Sequence, residues 1–260
     1  MAKETVLVTG ASAGIGRELA WLFAADGSDL VLVARRRELL EQLAAEIAQA
    51  HGVQTRILCA DLSDPSAPEA LAEQLTRSQV TVDVLVNNAG FGAVGAFVEQ
   101  PVEQQLRMIQ VNLTALTHLA RLFLPSMIER GRGGVLNVGS TAAFQAGPGM
   151  AIYYATKAFV LSLTEALAEE TAETGVRVTC LAPGPTKTEF AAEARMESTL
   201  LFHLGPMSAA AVARAGYRGF RKGKLIVIPG LGNRLGAFLV RLVPRTVARK
   251  VAARLNRLPQ

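Results

Sequence analysis

Acidic residues run out early in this 260-residue chain: none of the 22 Asp and Glu lies beyond Glu197, whereas 12 of the 27 Lys and Arg do. Up to Glu197 fifteen basic residues face 22 acidic ones, a net charge of −7; the last 63 residues carry +12. The overall +5 therefore describes neither part, and the asymmetry is the informative quantity. Cysteine is scarce. Cys59 and Cys180 each sit in an apolar run and read as small buried hydrophobes, which argues against a disulfide framework and for a reducing, cytoplasmic setting. His51, His118 and His203 are scattered, so no metal site is expected. No run of 18 uncharged apolar residues occurs, which speaks against a membrane-spanning helix. Met1-Ala2-Lys3-Glu4 leads directly into a strand-like run, without the n-region and h-region of a secretory signal. Glycine has no period of three, and a composition 50% hydrophobic and 19% charged excludes a disordered chain.

What is present alternates. Short Val/Ile/Leu runs are expected as strands at residues 5–9, 29–34, 53–60, 83–87, 134–139, 176–182 and 224–228. Amphipathic stretches at 15–25, 38–50, 65–78, 102–130 and 152–174 are expected as helices. Near-continuous apolar strands separated by helices imply an α/β fold, a doubly wound parallel sheet of Rossmann type covered on both faces. One domain over 1–260 is expected, with a substrate lid at about 188–210 and a basic helical tail at about 231–260, divided by Pro244.

The first strand ends in Thr9-Gly10-Ala11-Ser12-Ala13-Gly14-Ile15-Gly16 and runs into a helix. Glycines there permit a tight turn and close approach of a pyrophosphate, and the helix N-terminus supplies free N–H groups and a positive dipole end. The second strand ends at Ala34-Arg35-Arg36. Ala34 offers no carboxylate to an adenosine ribose, whereas Arg35 and Arg36 can pair with a 2′-phosphate, aided by the Ser12 hydroxyl. Asp61 is a candidate partner for an adenine amino group, or a helix cap before Pro65.

Tyr153 and Lys157 are four apart on a helix and share a face. An ammonium near a phenol is expected to lower the tyrosine pKa, preparing it to exchange a proton with an alcohol. Ser140, at the end of the preceding strand, is placed to hold a carbonyl oxygen. Asn112 is a candidate to hold a water behind the lysine.

With these residues in view, the sequence resembles a classical short-chain dehydrogenase/reductase. The resemblance rests on Thr9-Gly10-x-x-x-Gly14-x-Gly16, Asn87-Asn88-Ala89-Gly90, Asn112, Ser140, Tyr153-x-x-x-Lys157 and Pro183-Gly184-x-Thr186, in the family's order and with its 13-residue gap from Ser140 to Tyr153. It implies a catalytic tetrad of Asn112, Ser140, Tyr153 and Lys157, with Tyr153 rather than the adjacent Tyr154 as the proton donor. It also implies Lys157 on the nicotinamide ribose, Asn88 to Gly90 beside the adenosine ribose, and Thr186 and Thr188 near the carboxamide. Cofactor contacts are thus expected at Gly10, Ser12, Ala13, Gly14, Ile15, Gly16, Arg35, Arg36, Asp61, Leu62, Asn88, Ala89, Gly90, Tyr153, Lys157, Pro183, Gly184, Thr186 and Thr188. The basic residue often found in the family's phosphate loop is Ala13 here, and Arg17 follows the last glycine instead.

The implied activity is NADP(H)-dependent hydride transfer between a nicotinamide and a carbonyl or secondary alcohol. Phe190, Met196, Leu200, Leu201, Phe202, Leu204 and Met207 in the lid, with Phe91, Phe144 and Met150, suggest an apolar small-molecule substrate. The alternatives are a non-catalytic NADP(H)-binding regulatory protein and a membrane-surface lipid carbonyl reductase. A homodimer or homotetramer is expected and nucleic acid is not. The tail mixes Arg234, Arg241, Arg245, Arg249, Lys250, Arg254 and Arg257 with apolar residues, a pattern suited either to peripheral contact with an anionic membrane or to packing on the protein.

Overall fold

A computed structural model describes residues 3–194, 196–203 and 205–257. In chain order the elements are β1 Thr5–Thr9, α1 Gly14–Ala25, β2 Asp29–Ala34, α2 Arg37–His51, β3 Thr55–Cys59, α3 Ala67–Arg77 and β4 Val84–Asn87. Next come α4 Val102–Ile109, a π-helical turn Gln110–Ala115, α5 Leu116–Glu129, β5 Gly133–Val138, a 3-10 turn Thr141–Phe144, α6 Ala151–Glu170 and β6 Val176–Leu181. The remainder comprises β7 Thr186–Lys187, α7 Glu189–Glu193, a 3-10 turn Met196–Ser198, α8 Leu200–His203, β8 Met207–Ser208, α9 Ala209–Arg221, β9 Ile226–Val227, α10 Leu231–Leu239 and α11 Arg245–Leu255.

Seven strands form one parallel sheet in the order β3-β2-β1-β4-β5-β6-β9. Successive strand residues face opposite sides, so β1 feeds both layers. Val6 and Val8 pack with Leu19, Phe23, Leu40 and Phe220 on one side; Leu7 packs with Val31, Leu85, Leu119 and Met127 on the other. The outermost strand departs from expectation. β3 is an edge, shorter than the predicted run, and Cys59 at its end is exposed; only Cys180 is buried. The long middle helix is also not uniform: the π-helical turn interrupts it at Gln110–Ala115.

The order of the sheet reverses between β1 and β4, which opens a crevice at the carboxyl ends of the strands. A Thr9–Asn88 clamp sets its floor. Thr9 Oγ1 accepts from the backbone N–H groups of Asn88 and Ala89, both at 3.0 Å, while Asn88 Nδ2 donates to the carbonyls of Thr9 at 2.9 Å and Gly10 at 3.1 Å. Beyond β6, the strand pair β7 and β8 ties off the segment carrying α7 and α8, which lies over this crevice.

Candidate active site

The crevice holds a cavity of about 480 Å³ that runs from the end of β1 and β2 to α6 and the β7–β8 segment. Every predicted site residue lines it except Gly16 and Asn112, which lie just behind its wall. Gly10 takes the left-handed conformation, φ +64°, and a methyl group on Gly16 would run into the Gly10 carbonyl and the Asn88 side chain. Ala13 stands at the N-cap of α1 without a capping side chain, and no acid occupies the first turn. The first N–H groups of that helix are therefore free to meet an anion.

At the adenosine end, Arg36 Nη2 lies 3.2 Å from Ser12 Oγ and 2.6 Å from Glu189 Oε2 at the start of α7. Glu189 carried no sequence signal as a site residue, and Gln104, Arg107, Gln145, Glu193, Ala252 and Leu255 also line the cavity unannounced. Arg17 does not reach it; its guanidinium pairs with Glu46 of α2 at 2.6 Å. Asp61 accepts the Ser63 N–H at 3.0 Å. Partial burial works to raise its pKa, but the Ser63 bonds and the charges of Arg35 and Arg107 hold it below the ordinary carboxylate value.

At the other end, Tyr153 and Ser140 line the cavity together, and the Ser140 hydroxyl donates to the Pro183 carbonyl at 3.4 Å. Ser140 Oγ also accepts from the Ala142 N–H at 3.1 Å, which fixes it at the start of the 3-10 turn. Lys157 Nζ donates to the Val138 carbonyl at 2.7 Å and sits 5.8 Å from the centroid of the Tyr153 ring. This geometry corrects one expectation. The ammonium is directed at β5, and burial pushes the Tyr153 phenol up to about 12 rather than down, with the nearby Ser140 hydroxyl opposing the rise. Burial also lowers Lys157 to about 8. At neutral pH the pair is thus a protonated phenol beside a protonated amine.

Asn112 is held by three hydrogen bonds. Within the π-helical turn its Oδ1 accepts from the Phe91 N–H at 3.0 Å, and its Nδ2 donates to the Phe91 carbonyl at 2.9 Å and to Thr156 Oγ1 at 3.2 Å. The carboxamide clasps the loop after β4 to α6, and a methyl group on Gly90 would meet both its Oδ1 and Lys157 Nζ. The Thr186 and Thr188 hydroxyls are bonded within their own turn, to the carbonyls of Gly184 and Thr186.

Phe91, Phe190, Met196, Leu201 and Phe202 line the substrate end. Met150 is buried behind Tyr153, Met207 packs toward the sheet core, and Leu200 is exposed. Phe144 faces a different, basic cavity, because the 3-10 turn rotates it away from Ser140. Leu204 lies outside the described residues. Tyr154 is also a wall of this cavity, and its hydroxyl donates to Asn256 Oδ1 at 3.1 Å, tying α6 to the tail.

Residues 4–199 match the short chain dehydrogenase family. The chain is 37% identical over 188 residues to the probable oxidoreductase EphD of Mycobacterium tuberculosis; the match covers 72% of this chain and 32% of that protein, so this chain corresponds to about a third of it. It is 39% identical over 193 residues to sulfoacetaldehyde reductase 2 of Chromohalobacter salexigens, covering 72% of this chain and 74% of the relative. A short-chain dehydrogenase from Sphingobium yanoikuyae solved in complex with NADPH superposes with a TM-score of 0.83 at 38% identity, over 92% of this chain and 93% of that one.

Proposed function

The chain belongs to the short-chain dehydrogenase family, and on that premise we propose that it is an NADP(H)-dependent oxidoreductase interconverting an apolar carbonyl compound and its alcohol. The observation that carries this reading is the buried Tyr153 with Ser140 and Lys157 around it, at the apolar end of a cavity whose other end presents Arg35 and Arg36. The uncapped start of α1 would hold the pyrophosphate, and Arg35, Arg36 and Ser12 the 2′-phosphate. The NADPH-bound relative supports the same choice of cofactor. When bound, that cofactor supplies or takes up the hydride.

The remaining chemistry belongs to the protein. In the reducing direction Ser140 orients the carbonyl oxygen and Tyr153, protonated at neutral pH, gives its proton to that oxygen as negative charge develops there. The product is the alcohol, and the phenolate left behind is stabilised by the Lys157 ammonium until it is reprotonated. Asn112 positions the loop at Phe91 and, through Thr156, the helix carrying Tyr153 and Lys157. Phe91, Phe190, Leu201 and Phe202 exclude water and favour an apolar substrate.

The exposed apolar side chains of Phe97, Val98, Val102 and Leu106 support a homodimer or homotetramer, which sedimentation velocity distinguishes from a monomer. The same reading sets the protein in the cytoplasm, where the free thiols of Cys59 and Cys180 stay reduced. The test is NADPH oxidation against a panel of alkyl and aryl ketones and aldehydes. Turnover abolished by Tyr153→Phe is expected. NADPH binding without turnover of any of them would instead favour a regulatory protein.

A further inference from the structure

Eight of the fifteen exposed large apolar side chains among the described residues fall between Leu231 and Val251. On α10 they sit at Leu231, Leu235, Phe238 and Leu239, the spacing of one helical face, and Leu231 is 82% exposed. Leu242 continues the series after the helix, and Val247 and Val251 repeat it one turn apart on α11. The opposite sides of both helices are already used. Ala237, Ala248, Ala252 and Asn256 are buried against the protein, and Asn256 is fixed by Tyr154 and by the Pro148 carbonyl.

A second, independent feature lies on α10. A cavity of about 480 Å³ between α9, β9 and α10 is lined by Arg218, Lys222, Lys224, Arg234 and Arg241, with no acidic residue among its lining side chains. Its apolar contribution includes Phe144 and Phe238, and Phe238 belongs also to the exposed face. Among the described residues none of these five cations, nor Arg245, Arg249, Lys250 or Arg254, has a carboxylate within 4.0 Å.

We propose that α10 and α11 dock on an anionic phospholipid surface, with the exposed apolar face entering the acyl boundary and the basic cavity taking a lipid phosphate. Charge selects this occupant. A second copy meeting this face with its own would bring the cations of its α10 and α11 against these and repel them. A soluble polyanion would satisfy the cations and leave the leucines in water. An anionic bilayer answers both needs at once.

The inner side of α11 adds a consequence, which rests on the redox reading above. Ala252 and Leu255 line the active-site cavity, so a docked tail sets the mouth of that cavity beside the lipid. The substrate class is then a carbonyl or alcohol dissolved in the membrane.

The test is sedimentation of the intact protein with vesicles of phosphatidylglycerol and phosphatidylcholine or of phosphatidylcholine alone. Binding to the anionic vesicles only is expected, released at about 0.5 M salt, where the screening length shrinks to a few Å. Arg234→Glu with Arg241→Glu should weaken binding at least about tenfold. Leu235→Glu with Phe238→Glu should abolish it while leaving turnover of a water-soluble ketone unchanged and slowing that of a vesicle-borne one. Failure to bind anionic vesicles at any salt concentration overturns the docking, as does a Leu235→Glu, Phe238→Glu variant that binds them normally but falls apart into smaller assemblies. Binding without turnover of any ketone keeps the docking and overturns the redox reading.

Discussion

The crevice and the tail treat charge in opposite ways. In the sheet and its helices, cations find partners in the chain itself: Arg36 pairs with Glu189 at the crevice, and away from it Arg17 pairs with Glu46 and Lys3 with Asp29. Buried polar groups there are wired together, as where Asn87 Nδ2 donates to Asn137 Oδ1 at 3.0 Å and Asn137 Nδ2 to Thr164 Oγ1 at 3.0 Å. In the tail, cations and large apolar side chains alike face outward. A network bonded from side chain to side chain fixes a geometry, and fixed geometry serves chemistry. A surface that leaves both its charge and its apolar area unmatched is shaped for something outside the chain.

The two adjacent tyrosines break or sharpen this contrast: both line the crevice, but the Tyr154 hydroxyl is bonded to the tail. Tyr153→Phe removes the proton donor and keeps the shape, so kcat should fall by about 100-fold or more, on the scale of general acid catalysis, while NADPH affinity persists. Steady-state kinetics with calorimetric titration checks both halves. Near-normal turnover would move the chemistry elsewhere.

A smaller effect concerns Lys157. Unfolded, it keeps its proton to about 10.5; folded, burial lowers that to about 8. Between these values the unfolded chain holds the extra proton, so this group makes stability rise with pH. From pH 8 to 10 the contribution is on the order of 2 kcal/mol, to be read from urea melts against Lys157→Met, in which the rise should vanish. Above pH 10 Tyr153 acts the other way: the unfolded phenol ionises near 10 and the folded one near 12, and stability is lost.

Next in size is cofactor choice. Arg35→Ala should raise the NADPH dissociation constant about tenfold, or about 1.4 kcal/mol, and leave that for NADH nearly unchanged. Equal affinities of the unaltered protein for the two would remove the 2′-phosphate from the argument. The smallest effect is expected for Tyr154→Phe. Loss of its bond to Asn256 should cost about 1 kcal/mol and increase hydrogen exchange in α11, with kcat little changed. A large loss of kcat in that variant would merge the two regions into one functional unit.

The strands could be read because a parallel sheet covered on both faces demands near-continuous apolar runs, and β1, β2, β4, β5 and β6 have them. β3 was overextended for the opposite reason: an edge strand lacks one neighbour, so its pattern loosens and Cys59 emerges. The residues around the crevice were legible because backbone approach and proton transfer restrict position to one or two residue types, as at Gly10, Gly16, Tyr153 and Lys157. Glu189 was not, since its role depends on a fold that brings it 153 residues back to Arg36. The direction of the Lys157 ammonium and the pKa of Tyr153 depend on burial, which spacing along a helix does not report.

The π-helical turn at Gln110–Ala115 carries a last consequence. Each residue of an α-helix advances the chain by about 100°. The wide turn therefore acts as a phase shifter between α4 and α5, letting one continuous rod present two angular settings. Asn112 reaches Phe91 and Thr156 from within that offset. Removing a single residue from this stretch would restore regular winding only by swinging Asn112 about a quarter of a turn away, whereas a substitution of similar shape would leave the phase intact. The middle of this long rod should accordingly accept changes of letter more readily than changes of length.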